Sequence, residues 1–106
     1  MKSTITIEDM RGDGDWDNVF SYARGFSIDD IEKVIAAANG ANDESSWIAI
    51  FKLKDGTFAW LTAWCDYTGW GCQEGGESHI CDNLKDLMLG FVGIENCQRL
   101  GPDILG

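Results

Sequence analysis

The chain has 106 residues, and its 18 acidic against 8 basic residues give a net charge of −10 at pH 7. This length predicts one domain spanning residues 1–106, and a hydrophobic content of 44% with a single proline argues against long disordered segments. Such a charge repels phosphate backbones and anionic lipid and attracts basic surfaces, so we expect no direct binding to nucleic acid or membranes. Residues 1–9 contain no apolar signal region, which favours a cytoplasmic protein with reduced thiols.

The N-terminal part predicts an arm followed by a helix. Residues 3–7 alternate hydroxyl and isoleucine side chains, which favours an edge strand or a loose arm within residues 1–12. Asp13 or Asp15 is suited to begin a helix, because a carboxylate accepts hydrogen bonds from the free N–H groups of the first turn. Gly25 is expected to end this helix. Its apolar stripe consists of Trp16, Val19, Phe20 and Ala23.

A second helix is predicted between Ser27, as its N-cap, and Gly40, where it stops. Asp29 and Asp30 would occupy its first turn. Both helices are amphipathic and therefore need an apolar surface to pack on. The buried stripe of the second helix is Ile28, Ile31, Val34, Ile35 and Ala38.

A β-hairpin is predicted around Asp55-Gly56, which favours a two-residue turn between two apolar runs. Counting outwards from this turn pairs Leu53 with Phe58. One face of the hairpin then becomes an aromatic ladder, and a slip of one residue would exchange the two faces. The further pairs on that face are Phe51 with Trp60, Ala49 with Thr62, and Trp47 with Trp64.

The remaining chain predicts a third strand and a helix. Residues 78–81 are the candidate strand, because an isolated hairpin is marginally stable in water. Asp82 or Asn83 would cap a helix with the apolar stripe Leu84, Leu87, Met88 and Phe91. In the tail, Ile94 and Leu100 are candidates to pack back on the core. The expected fold class is α+β, with two N-terminal helices, an antiparallel hairpin or three-stranded meander, and a C-terminal helix on the sheet.

The loop between Cys65 and Gly76 combines turn-forming residues with large aromatics. Gly75-Gly76 are expected to relax the chain before the third strand. Trp70 has two interpretations, since it either closes over the core as a lid or stands out as an anchor for a partner.

The cysteines and the histidine allow a metal hypothesis and a catalytic one. Zinc accepts ligands of these kinds, although their spacing is unlike the paired C-x-x-C pattern of well-known zinc sites. The zinc alternative would use Cys65, Cys72, His79 and Cys81. A catalytic alternative would use Cys65 or Cys72 as nucleophile, His79 as base and Asp66 as its orienting group. No family signature surrounds these residues, so we expect no enzyme, no cofactor and no metal.

The run Trp64-Cys65-Asp66-Tyr67-Thr68-Gly69-Trp70, followed by Cys72-Gln73, resembles a type of small protein encoded by bacteriophage and prophage genomes. The resemblance covers roughly the middle third of the chain and brings no activity with it. It implies a setting, because compact acidic phage proteins often occupy a surface of a host protein, including host defence complexes, and sometimes imitate the charge of DNA.

We therefore expect a protein-binding inhibitor or modulator that docks an acidic surface onto a basic host protein. The alternatives are a zinc-stabilised module, and a small-ligand binder or enzyme with a pocket formed by Trp70, Tyr67 and His79. The expected interaction residues are Asp13, Asp15, Asp17, Asp66, Tyr67, Trp70, Glu74 and Glu77.

Overall fold

The computed structural model describes residues 5–66, 69–71 and 73–101. Four strands form one antiparallel sheet in the order β1-β2-β3-β4, so consecutive strands are neighbours throughout. The α+β class is confirmed, but the arrangement differs from the expected one, because the sheet has a fourth strand and the helices begin and end elsewhere. The elements are α1 (Ile7–Met10), α2 (Gly14–Phe20), β1 (Ile31–Ala38), β2 (Trp47–Leu53), β3 (Phe58–Asp66), β4 (Gln73–Cys81), α3 (Leu84–Leu87) and α4 (Ile94–Leu100).

The predicted N-terminal arm contains the single helical turn α1. Thr6 and Asp9 form a reciprocal capping box, in which Thr6 Oγ1 accepts from Asp9 N at 3.2 Å and Asp9 Oδ2 accepts from Thr6 N at 2.9 Å. Met10 is buried, and Ile5 and Ile7 pack against the same core. The expected edge strand is therefore wrong for this segment, because the capping residues favour a helix over the short alternating pattern.

Asp13 begins α2, as predicted. Its carboxylate accepts from Asp15 N at 2.9 Å and from Trp16 N at 3.1 Å, which satisfies two N–H groups that lack helical partners. Trp16 and Val19 are buried on the apolar side of the helix. The helix ends at Phe20 rather than at Gly25.

The second predicted helix is wrong, because most of it forms strand β1. The capping residues at Ser27 produce only one 3-10 turn, Ile28–Asp30, before the strand begins. Irregularities in the pairing with β2 lie between Ile31 and Lys33 and between Val34 and Ala36. Each adds a residue to β1, so apolar side chains three positions apart face the same side of the sheet. The bulged strand thus imitates the spacing of a helix, and its same-side residues are Ile31, Val34 and Ala37.

The β2–β3 turn differs from the expected one by one residue. Leu53 N donates to Thr57 O at 2.8 Å, and the loop between them contains Gly56 with φ +92°. A three-residue loop whose last residue is left-handed produces a different register from a two-residue turn. Phe58 consequently pairs with Lys52, not with Leu53. The aromatic ladder is therefore wrong, and Trp60 lies on the opposite side of the sheet from Phe51.

Each side of the sheet has its own hydrophobic core. We call the side covered by α1 and α2 the N-face, and the side covered by α3 and α4 the C-face. The buried N-face residues are Met10, Trp16, Val19, Phe26, Ile31, Trp47, Ala49, Phe51, Leu53, Ala59, Leu61, Ala63 and Cys65. The buried C-face residues are Ile48, Ile50, Trp60, Leu87, Met88, Val92, Cys97 and Leu100.

The C-terminal helices follow the predicted capping. Asn83 Oδ1 accepts from Lys85 N at 2.8 Å and begins α3, and the chain continues through a π-helical turn, Met88–Val92, into α4. Leu100 packs into the C-face core as expected, whereas Ile94 is exposed. Within the described ranges, no helix has the length and apolar character needed to cross a membrane.

Candidate interaction surface

Strand β4 is longer than predicted and contains the two glycines that were assigned to the loop. It spans nine residues from Gln73 to Cys81, and aromatic rings pack on both sides of the glycine pair. A Cβ atom at Gly75 would lie 2.7 Å from the Trp64 ring, and one at Gly76 would lie 2.6 Å from the Tyr22 ring. The glycines are therefore explained by close ring packing, not by a need for a loose connection.

Carboxylates from four segments gather at one end of the sheet. Burial is the main cause of the raised pKa of the Cys65 thiol, and the charges of Asp15, Asp66 and Glu74, all near enough to act on it, raise it further. Asp43 N donates to Cys65 O at 2.9 Å, which brings the β1–β2 loop to the same place. We call this surface the acidic end, and its residues are Asp15, Asp43, Glu44, Asp66 and Glu74.

Glu74 is held in position by two donors. The Tyr22 hydroxyl donates to Glu74 Oε1 at 2.6 Å, and Gly71 N donates to Glu74 Oε2. The hydrogen bond from Tyr22 is the main cause of the lowered pKa of Glu74. The same bond, followed by burial and by the charge of Glu74, raises the pKa of Tyr22 to about 12. An ionised carboxylate and a neutral phenol are thus the stable pair at neutral pH.

Trp70 is a lid on the N-face core. Its ring centroid lies 5.2 Å from that of Trp47, and its Nε1 donates to Asp15 Oδ1 at 2.9 Å. The ring is half-buried and packs against the N-face cluster. Of the two interpretations, the structure favours the lid, and Trp70 links the loop after β3 to helix α2.

A shallow groove of about 240 Å³ lies beside the acidic end. Asp43, Glu44 and Asp66 line it, together with Trp64, whose side chain lies on the C-face. Trp64 is 41% exposed. The sequence did not single out Asp43 and Glu44, because a polar loop gives no periodic signal, and the predicted register placed Trp64 in an aromatic ladder.

The other predicted interaction residues are dispersed. Asp13 is used as the cap of α2, and Asp17 lies exposed on the same helix. Glu77 lies on the C-face, where its Oε2 is 2.7 Å from His79 Nε2. Tyr67 lies outside the described residues.

The described residues of the zinc alternative do not converge. Cys65 lies on the N-face, whereas His79 pairs with Trp60 and Cys81 with Phe58, which places both on the C-face. Cys72 lies outside the described residues. Across residues 5–66, 69–71 and 73–101, no group of three or more potential ligands is close enough to hold a metal ion.

The same arrangement separates the described residues of the catalytic and pocket alternatives, whereas Cys72 and Tyr67 lie outside the described residues. Cys65 cannot use His79 as its base, because the sheet lies between them. Burial and the nearby carboxylates raise the pKa of Cys65 and favour its thiol form over the nucleophilic thiolate. Trp70 packs with the N-face core, so it does not form a pocket with His79 on the C-face.

The β2–β3 ladder determines which backbone groups of β4 point outwards. Since Leu53 N donates to Thr57 O, the odd-numbered residues of β3 direct their backbone groups to β2, and the even-numbered ones direct them to β4. Trp60 pairs with His79, so the odd-numbered residues of β4 are bonded to β3. The residues whose N–H and C=O groups point away from the sheet are Glu74, Gly76, Ser78 and Ile80.

Comparison with protein-family models, curated protein sequences and solved structures finds no match for this chain.

Proposed function

We propose that this protein is a non-enzymatic protein-binding module that docks its acidic end onto a basic surface of a partner protein. The observation that carries the proposal is the concentration of carboxylates from α2, the β1–β2 loop, β3 and β4 at one end of the sheet. Within the described residues, no lysine or arginine forms an ion pair with them. A surface of uncompensated charge of this kind attracts a basic partner and speeds its association.

Trp64 supplies an aromatic contact within this surface. Its ring is partly exposed and shares the groove with Glu44 and Asp66. A guanidinium or ammonium group stacks favourably on an indole ring, and carboxylates nearby strengthen the contact. The groove therefore fits an arginine or lysine side chain of the partner.

The resemblance to phage and prophage proteins supports a host protein as the partner. An acidic module that covers a basic surface in the host cytosol acts as an inhibitor or modulator when that surface normally binds nucleic acid or another protein. Components of host defence complexes are partners of this kind, and the module then imitates the charge of DNA.

A matched pair of charge variants tests the proposal. The first variant carries Asp43→Asn, Glu44→Gln and Asp66→Asn in the acidic end, and the control carries Glu8→Gln, Asp86→Asn and Glu95→Gln at exposed positions elsewhere. Immobilised wild-type protein is expected to capture a host protein from lysate in a salt-sensitive manner, and the first variant to lose it. Equal capture by both variants contradicts the proposal, because the net charge alone would then explain binding.

A further inference from the structure

We infer that the free edge of β4 accepts an extended basic segment of the partner as a fifth, antiparallel strand of the sheet. The preference for a basic segment rests on the proposed function, whereas the preference for strand addition rests on the backbone of β4. Extended peptides add to exposed sheet edges through main-chain hydrogen bonds, and side-chain contacts on the two faces supply the specificity.

The backbone of β4 is arranged for such an addition. Its alternate residues from Glu74 to Ile80 direct N–H and C=O groups away from the sheet. Within the described ranges, no turn, loop or cap hydrogen bond reaches these groups. The register with β3 is continuous from Gln73 to Cys81, so no bulge interrupts the edge that a further strand would pair with.

The opposite edge of the sheet carries pairing irregularities and a lysine that β4 lacks. Strand β1 carries two pairing irregularities and the adjacent charged residues Glu32 and Lys33. Side chains from both helical layers bind Asn39 directly after β1, since Trp16 Nε1 donates to its Oδ1 and Arg99 to its O. Bulges, lysines and covering segments are the usual means of preventing edge pairing. Strand β4 has no lysine, proline or bulge along its length.

Apolar side chains flank the β4 edge on both faces. Ile80 is 39% exposed on the N-face. On the C-face, Phe91 is 47% exposed and stacks on His79 with ring centroids 4.0 Å apart, and Trp64 packs over Gly75. An added strand would therefore find apolar contacts for alternate side chains on each side.

Charge selects a basic partner segment over a second copy of this chain. Antiparallel pairing of two β4 strands that uses all four outward residues places Glu77 opposite its own copy, and like charges directly opposite destabilise a sheet. Each copy also carries a net charge of −10. An antiparallel segment starts beside Cys81 and ends beside Gln73, next to the acidic end, so its basic residues are expected towards its C-terminus.

Binding of designed peptides to the full chain tests this inference. The probe is a nine-residue peptide of alternating valine and threonine with lysine at its last positions, which matches the length of β4. One control replaces lysine by glutamine, and the other keeps lysine but is N-methylated along its backbone. We expect the lysine peptide to bind and to slow amide hydrogen exchange at Glu74, Gly76, Ser78 and Ile80. N-methylation is expected to weaken binding about tenfold or more.

The outcomes separate this inference from the proposed function. Salt-sensitive binding that N-methylation does not weaken, without slower exchange at the outward amides, overturns strand addition and leaves the acidic surface standing. Equal binding of the glutamine peptide with slower exchange supports strand addition and contradicts the role of charge. Failure of every peptide to bind overturns the inference. The inference is also overturned if amide hydrogen exchange at these residues slows with increasing protein concentration in the absence of peptide, because a second copy of the chain would then occupy the edge.

A substitution at Ser78 gives an independent check. Ser78→Pro removes one outward N–H group, and an edge strand tolerates proline at such a position. Ser78→Ala is the matched control, because it keeps this N–H group and removes only the hydroxyl that accepts from Arg24 N at 2.9 Å. Loss of peptide binding in the proline variant alone supports the inference, and equal binding by both variants contradicts it. If the proline variant does not fold, the N-methylated peptide decides the question.

Discussion

On the N-face, helices α1 and α2 and the Trp70 lid bury the sheet from Leu53 to Cys65, whereas on the C-face the helices leave Trp64 41% exposed. The N-face layer is also tied to the sheet by side-chain hydrogen bonds, including those from Trp16 to Asn39 and from Tyr22 to Glu74. The C-face layer relies mainly on apolar contacts. This difference indicates that the N-face contributes more to stability than the C-face, part of which is left open to solvent.

The largest difference is expected between core truncations on the two faces. Trp16→Ala removes a buried ring and its hydrogen bond to Asn39, and is expected to lower the free energy of unfolding by about 3–5 kcal/mol. Leu100→Ala, at the margin of the C-face core, is expected to lower it by about 2 kcal/mol. Urea denaturation measures both. A larger loss from Leu100→Ala would reverse the assignment of stability to the N-face.

Alanine substitutions at the neighbouring glycines Gly75 and Gly76 of β4 test the packing on the two faces of the sheet. A Cβ atom at Gly76 would lie 2.7 Å from Thr62 O, a backbone atom that cannot move aside, and close to the Tyr22 ring. The three atoms nearest to a Cβ atom at Gly75 would all belong to the side chain of Trp64, which is partly exposed. We expect Gly76→Ala to destabilise the protein by about 1–3 kcal/mol and Gly75→Ala by less. Thermal unfolding of the two variants decides between this order and its reverse.

A smaller effect is expected from the pH dependence of the Tyr22–Glu74 pair on the N-face. The pKa of Glu74 is lowered in the folded state, so its contribution to stability is present at neutral pH and is lost as the pH falls below the ordinary range of a glutamate. The pKa of Tyr22 is raised from 10.0 to about 12, so its contribution is complete below pH 10.0 and disappears as the pH rises towards 12.

Tyr22→Phe isolates this contribution, because it removes the phenolic donor and keeps the ring that packs on Gly76. The difference in unfolding free energy between wild type and variant is expected to be greatest at neutral pH and to shrink at both acidic and alkaline pH. Denaturant unfolding over this pH range measures it. A difference that does not change with pH would mean that the hydrogen bond to Glu74 makes no contribution.

Local chemistry made part of the fold predictable. The caps at Asp13 and Asn83 and the apolar stripe with Trp16 and Val19 depend on residues close in sequence, and the structure confirms them. The second helix was wrong because bulges in β1 reproduce a helical spacing, and a bulge is decided by pairing with β2. The register was wrong because Asp55-Gly56 fits both a two-residue and a three-residue loop.

The candidate site was predictable only in outline. Asp15, Asp66 and Glu74 were expected as interaction residues, and all three are near Cys65. Asp43 and Glu44 lie at the same end because Asp43 N donates a hydrogen bond to Cys65 O, a contact that no local sequence pattern predicts. The zinc and catalytic alternatives depended on side chains being on one face. The strand pairing places Cys65 and His79 on opposite faces.

The sequence by itself determined the charge of the molecule, the positions of its helix caps and the presence of a hairpin around Gly56, because these depend on composition and on contacts within a few residues. Only the tertiary structure decided the faces on which Trp60, Trp64 and Cys65 lie, the length of β4 and the contrast between its two edges. These features depend on register, and one residue of slip moves every side chain of a strand to the other face.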